Sequence, residues 1–120
     1  MGKIVVKIGG VASDNLTKNF FEQIEAWQSE GHEVIMVHGG GYYITEMMDR
    51  LNIPVTIKDG LRVTTEQALK ITQMVLIGQV QPTITTLFQQ QGFATIGLNA
   101  SSDNMIQGTF IAVSYTHLRA

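Results

Sequence analysis

The sequence predicts an α/β domain on a mainly parallel sheet, and three observations carry that reading. Short β-branched runs alternate with helical apolar stripes from the N-terminus onward. The first two runs end in glycines, Gly9-Gly10 and Gly39-Gly40-Gly41. The resulting order of strand, helix, strand, helix favours parallel pairing through right-handed crossovers.

Each element follows from local chemistry. Ile4-Val5-Val6-Lys7-Ile8 reads as a buried strand feeding a tight turn. Leu16, Phe20, Ile24 and Trp27 fall at helical spacing with Lys18, Glu22 and Glu25 off the stripe, and Gly31 marks the stop. Glu33-Val34-Ile35-Met36-Val37 reads as a second buried strand, and Ile44, Met47, Met48 and Leu51 place an apolar stripe on a short helix. Pro54 restricts Ile53-Pro54-Val55-Thr56-Ile57 to an edge or irregular strand, and Lys58-Asp59-Gly60 reads as a turn. Thr64-Thr65-Glu66-Gln67 has the Thr-x-x-Gln form of a capping box. It opens a long helical stretch that Pro82 should kink or interrupt before Gly92. Phe93-Ala94-Thr95-Ile96-Gly97-Leu98 reads as a third buried strand, residues 99–104 as a polar loop, and residues 105–113 as a hairpin around Gly108. Residues 114–120 are expected neither to continue a strand nor to cap one. No repeat, low-complexity segment or linker divides the 120 residues, so one domain is expected.

Composition excludes several functions. An apolar fraction of 44% with 15% charged residues describes a globular chain. The net charge of −2 supplies no basic field for nucleic acid. Cysteine is absent, which removes disulfides and thiolate metal sites. The start of the chain lacks the uninterrupted apolar region of a signal peptide, and no window is long enough to cross a bilayer. A soluble cytoplasmic protein with no membrane partner is expected.

The two glycine turns carry the strongest chemical signal. Loops at the carboxyl ends of parallel strands line the ligand crevice of open α/β folds. Glycine lets the backbone approach a bound group and presents its N–H donors without obstruction. A helix starting just after Gly41 would aim its positive dipole end into that crevice. Two anion cradles facing one cleft suit a phosphoryl donor and an anionic acceptor. Tight turning alone is the competing explanation, and it accounts for Gly9-Gly10 more easily than for three consecutive glycines. Neither Gly-x-x-x-x-Gly-Lys-Ser/Thr nor Gly-x-Gly-x-x-Gly occurs at these turns, so P-loop and dinucleotide-binding readings fail.

Lys7 at the end of a buried strand needs an anion or a route to water. Arg62 offers a planar fork suited to a carboxylate, or is a solvated arginine ahead of a helix. His38 fits a hydrogen-bonded structural role better than that of a base. His32 and His117 show no ligand spacing, and no metal site is expected. Met36, Met47, Met48 and Met74 read as packing residues.

Val5-Val6-Lys7-Ile8-Gly9-Gly10, Val37-His38-Gly39-Gly40-Gly41 and Lys58-Asp59-Gly60-Leu61-Arg62-Val63-Thr64 resemble the successive signatures of acetylglutamate kinases, within the amino-acid kinase family. The opening Lys-x-Gly-Gly is common to the wider family, and Gly-Leu-Arg-Val-Thr is more particular to this branch. The resemblance implies a three-layer sandwich with a mainly parallel central sheet, of which residues 1–113 form the N-terminal, acetylglutamate-binding half. It implies transfer of the ATP γ-phosphoryl group to the side-chain carboxylate of N-acetyl-L-glutamate, in arginine biosynthesis, with Mg2+ carried by the nucleotide. By motif, Lys7 would be catalytic and would hold the transferring phosphoryl group with Gly9 and Gly10. Gly40 and Gly41 would bind acetylglutamate, and Arg62 would clamp its α-carboxylate.

The family's C-terminal half would bring the adenine pocket, a second transition-state lysine and further acceptor contacts, so the fragment alone is expected to be inactive. A homodimer with residues 65–91 near its interface is implied for the intact protein. With no segment ahead of the first strand to build the extra helix of arginine-inhibited members, insensitivity to arginine is expected too. Residues 114–120 match nothing in the family and are read as foreign to it. Two other readings remain at this point: a non-catalytic module that binds acylated amino acids, and a sister kinase acting on another carboxylate or carbamate.

Overall fold

The computed structural model describes residues 1–9, 15–108, 110–112 and 116–118, with backbone alone for Arg62, 110–112 and 116–118. Gly10 of the first glycine turn therefore lies outside the described residues.

β1 (Lys3–Ile8) and β2 (Glu33–His38) pair in parallel, in register from Lys3 opposite Glu33 to Ile8 opposite His38. The crossover between them carries α1 (Lys18–Ser29), whose N-terminus is capped by Thr17 Oγ1 accepting from the Phe20 N–H. At its other end the Gly31 N–H donates to Gln28 O and the His32 N–H to Trp27 O. Gly31 sits at φ +87°, a left-handed position that glycine takes without a Cβ clash. Gly92 ends the last long helix in the same way, at φ +91° with the Phe93 N–H donating to Phe88 O.

α2 (Gly41–Arg50) follows β2 directly. A two-stranded antiparallel hairpin comes next, β3 (Thr56–Lys58) and β4 (Leu61–Val63), closed by Asp59 and Gly60 at φ 53° and 76°. Positive φ at both central positions is the twist-compatible geometry of a two-residue hairpin, and Asp-Gly is a favoured pair for it. Pro54 lies outside the ladder, as its missing N–H requires.

The long helical stretch is continuous through α3 (Glu66–Val75), a π-helical turn (Leu76–Val80) and α4 (Gln81–Gln90). Thr65, not Thr64, is its cap: Thr65 Oγ1 accepts from the Ala68 N–H at 3.1 Å, so the expected box with Gln67 does not form. Pro82 does not break the helix. It falls in the first turn of α4, where the preceding turn has already widened and the Gln81 N–H donates to Leu76 O, five residues back. A wider turn relieves the clash between a proline ring and the turn before it.

The core joins all these helices. Phe21, Ile24, Ile44, Met48, Ile53, Ala68, Ile71, Val75, Val80, Ile84 and Phe88 form one buried cluster, with Val34 and Met36 of β2 packed against it. Phe21 and Phe88 meet edge to face at 5.2 Å and tie α1 to α4. Met74, expected in the core, is exposed, because Ala68, Ile71 and Val75 define the inward stripe of α3 and Met74 falls beside it.

Three other expectations are corrected. β1 and β2 are half-buried rather than buried: Val5, Ile35 and Val37 are 62%, 45% and 46% exposed on the face away from the helices. Residues 93–98 form no ladder with the described residues. Two of their carbonyls accept from side chains, Thr95 O from Gln89 Nε2 and Leu98 O from Gln81 Nε2, and Ile96 is 85% exposed. Among the described residues no hairpin turns at Gly108, and the pairing partner of β5 (Phe110–Ala112) is β6 (Thr116–Leu118), within the segment expected to hold no strand. The polar loop is confirmed, with Asn99 Oδ1 accepting from the Ser101 N–H at 2.9 Å.

Candidate functional site

β1 and β2 end side by side, so their glycine turns are neighbours. The Gly39 N–H donates to Ile8 O at 3.3 Å, extending the parallel ladder by one bond and joining the turns. The three glycines after β2 then have different reasons to be glycine. A Cβ on Gly40 would lie 2.7 Å from Leu76 Cδ2 and 3.1 Å from Val80 Cγ2, so crowding excludes any side chain there without a shift. A Cβ on Gly39 or Gly41 would meet nothing within 4 Å, and neither residue has a positive φ. The same holds for Gly9. Neither crowding nor a positive φ calls for glycine at these three positions, and the absence of a side chain leaves room for close approach to the backbone.

The helix that begins here differs from the others in its cap residue. α1 and α3 each start with a threonine oxygen on a first-turn N–H, whereas α2 starts at Gly40 with no side-chain cap. Uncapped N–H groups at a helix start combine with the dipole to favour negative charge. His38, at the end of β2, has Nδ1 2.9 Å from Gly39 O. With Nδ1 protonated it donates to that carbonyl, holding the peptide of the turn, which is the structural role expected of it.

Lys7 stands opposite Val37, one residue before the turn, with its side chain on the open face of the sheet. Lys3, Lys18 and Lys70 each meet a glutamate carboxylate, but among the described residues Lys7 has no ion-pair or hydrogen-bond partner. The expectation that it lies in a buried strand is thus corrected, and the route to water is open. Arg62 is placed by its backbone alone, opposite Ile57 in the β3–β4 hairpin. The structure sets the end of β1, with Lys7 and Gly9, beside the end of β2 that leads into Gly39–Gly41, and leaves Arg62 on a separate small sheet.

A groove of about 470 Å³ runs along the other side of β2, between Val34–His38 and residues 93–98. Its lining is mainly apolar, with Ile84, Phe88, Met105 and Ile106 among the wall residues, and it includes neither Lys7 nor the glycines of the two turns. It has the wrong chemistry for a phosphoryl group, so the glycine turns are the better site. Among the described residues no three His, Asp or Glu side chains cluster as metal ligands, and no helix is long and apolar enough to cross a membrane.

A family model described as the amino acid kinase family matches residues 2–119. The chain belongs to the amino acid kinase family. Its relatives include acetylglutamate kinases of Listeria welshimeri, 58% identical over 104 residues, and of Leuconostoc citreum, 45% identical over 106 residues. These alignments cover 87% and 88% of this chain, but only 42% and 43% of the relatives. A solved structure, smu.665 from Streptococcus mutans, superposes with a TM-score of 0.76 at 36% identity, over 82% of this chain and 40% of that one. The chain therefore spans about two-fifths of the length of the proteins it matches, and the α/β fold with a parallel sheet is the partial form of the family's.

Sequence reasoning missed the residues that hold the site from behind. Leu76 and Val80 crowd Gly40, and Gln81 both bonds Leu98 O and packs where a Cβ on Gly97 would fall, 2.8 Å from its Cδ. The available signal was Pro82 in an otherwise regular apolar stripe, which marks a helical irregularity but not what it faces.

Proposed function

We propose that this chain is the acceptor-binding part of an ATP-dependent acetylglutamate kinase of arginine biosynthesis. The observation that supports the reading is the Gly39 N–H to Ile8 O bond, which brings the carboxyl ends of β1 and β2 together, with Lys7 unpartnered among the described residues and α2 starting at a glycine. The names of the relatives supply the acceptor.

In the proposed reaction a side-chain carboxylate oxygen of N-acetyl-L-glutamate attacks the γ-phosphorus of ATP. The bond from that phosphorus to its bridging oxygen breaks, ADP leaves, and an acyl phosphate forms. Such transfers need alignment and charge neutralisation more than covalent help. Lys7 neutralises charge on the transferring group, and the Gly9 and Gly10 backbone cradles it. Gly40 and Gly41 hold the acetylglutamate at the start of α2, with Arg62 as the fork on its α-carboxylate. ATP arrives as co-substrate with its Mg2+, bound mainly by the rest of the intact protein, which acts as a cytoplasmic homodimer.

ADP release by the full-length protein with each substrate varied is the test. Arg62→Ala should raise the acetylglutamate KM by about one to two decades, the equivalent of a lost charge-assisted clamp of about 1.5–3 kcal/mol, and leave the ATP KM alone. Arg62→Lys should restore only part, since an ammonium lacks the planar fork. The isolated 120-residue chain should show no turnover. An equal rise in both KM values would overturn the clamp. Acetylglutamate binding without ADP release by the full-length protein would favour a binding module instead.

A further inference from the structure

The π turn between α3 and α4 stands directly behind the second glycine turn. Val80 is 5% exposed and Gly40 is buried, and Leu76 packs against the same core. The contact leaves no room for a methyl group, since a Cβ on Gly40 would fall 2.7 Å from one Leu76 methyl and 3.1 Å from a Val80 methyl. Gly40 is also the residue whose carbonyl accepts from the Ile44 N–H at 2.9 Å, starting α2. Any displacement of Gly40 therefore moves the first turn of α2 and its neighbours Gly39 and Gly41 together. On its next residue, the same helical stretch fixes a second segment through Gln81 and Leu98 O, at 2.7 Å.

A π turn is less favourable than continued α-helix and recurs where its altered side-chain placement serves a site. Here it supplies two branched side chains that back one glycine. We propose that Leu76 and Val80 are positioning residues for the acceptor pocket: by seating Gly40 they set how far the Gly39–Gly41 backbone stands from the bound acyl amino acid. They touch no substrate and act through the glycine turn alone. The inference rests on the functional reading above for the identity of the acceptor.

The experiment is a size-exchange cycle in the full-length protein, read by steady-state kinetics and by thermal melting. Gly40→Ala should push the turn toward the ligand and raise the acetylglutamate KM about ten-fold or more, since small misplacements of a positioning backbone carry costs of that order. The ATP KM should stay within about two-fold, as uniform damage would move both. Gly40→Ala should also lower the melting temperature. Adding Leu76→Ala to Gly40→Ala removes the nearer of the opposing methyls, leaving that of Val80 at 3.1 Å, and should recover most of the acetylglutamate KM and part of the melting temperature. Leu76→Ala alone should weaken acetylglutamate binding as the turn settles backward, and Leu76→Met, which keeps the volume, should restore it. If Gly40→Ala alone does not fold, the Leu76→Ala and Leu76→Met pair decides by the same split of KM values.

Strictly additive losses in the double variant, or equal movement of both KM values, would overturn the inference while acetylglutamate turnover by the parent left the functional reading standing. A parent with no such turnover, but with melting rescued in the double variant, would overturn the functional reading and keep the seating of Gly40.

Discussion

The two faces of the β1–β2 sheet both carry branched apolar residues but live in different surroundings. Val34 and Met36 point into the helical core, while Val5, Ile35 and Val37 point away from it and are about half exposed. A strand with one wet face alternates polar and apolar, and these strands do so only in part: Lys3, Lys7 and Glu33 share the open face with Val5, Ile35 and Val37. The apolar residues of the open face are those a second layer would cover, and the described residues cover only the other face. Lys3 and Glu33 pair with each other at one end of that face, whereas Lys7 stands at the carboxyl end, where ligands of open α/β sheets gather. The difference separates residues that hold the fold from those that wait for a ligand or a second layer.

The largest effect should come from the covered side. Met48 is 2% exposed among Ile44, Ile71 and Val75, so Met48→Ala should cost about 2–5 kcal/mol through lost burial and the cavity left behind. Denaturant unfolding of the full-length protein measures it. A loss below about 1 kcal/mol would mean the site collapses freely and the helical core is looser than its burial suggests.

Lys7 tests the other side. Lys7→Ala should slow kcat by roughly 10²–10³-fold, the scale for removing one preorganised charge from a transferring group. Its stability effect should stay within about 0.5 kcal/mol, because the side chain is exposed and unpartnered among the described residues. A destabilisation comparable to that of Met48→Ala, with kcat preserved, would assign Lys7 to the fold and not to the chemistry.

How legible this was in the sequence follows the same division. The elements fixed by local chemistry were readable: β1 and β2 by β-branching, α1 by its stripe and Gly31, the Asp59-Gly60 turn by its dipeptide. The elements decided by what lies beside them were not. Phe93-Ala94-Thr95-Ile96-Gly97-Leu98 has strand composition, yet no described strand pairs with it, and two of its carbonyls, of Thr95 and Leu98, are met by Gln89 and Gln81 side chains. The site divides likewise. Glycine after a strand was visible as a signal, but a sequence holds no record that Gly40 is crowded while Gly39 and Gly41 are open. That distinction depends on Leu76 and Val80, more than thirty residues away along the chain.

Gly41 gives a smaller effect with a useful sign. It opens α2 without a positive φ, and an added Cβ would meet nothing within 4 Å. Alanine there should stabilise the full-length protein by about 0.4–1 kcal/mol, because glycine costs more backbone entropy on folding. If the bare backbone is kept for the acceptor, the same substitution should raise the acetylglutamate KM. A gain in stability with unchanged KM would remove Gly41 from the binding role.

The smallest change in folding energy should come from the open face, and its interest lies in association. Ile35→Thr keeps a β-branched side chain on β2 and removes apolar surface that is already 45% exposed. The stability of the 120-residue chain should then shift by no more than about 0.5 kcal/mol, the usual range for surface substitutions. Val5, Ile35 and Val37 nevertheless form one contiguous patch, since Val5 is in register with Ile35 and both β1 and β2 continue past it. Patches of this kind promote self-association when nothing covers them. Light scattering over a concentration series should therefore show association of the parent chain, and less of it for Ile35→Thr. Scattering that stays monomeric for the parent at every concentration would break the comparison, because it would mean the second face is sealed by the chain itself.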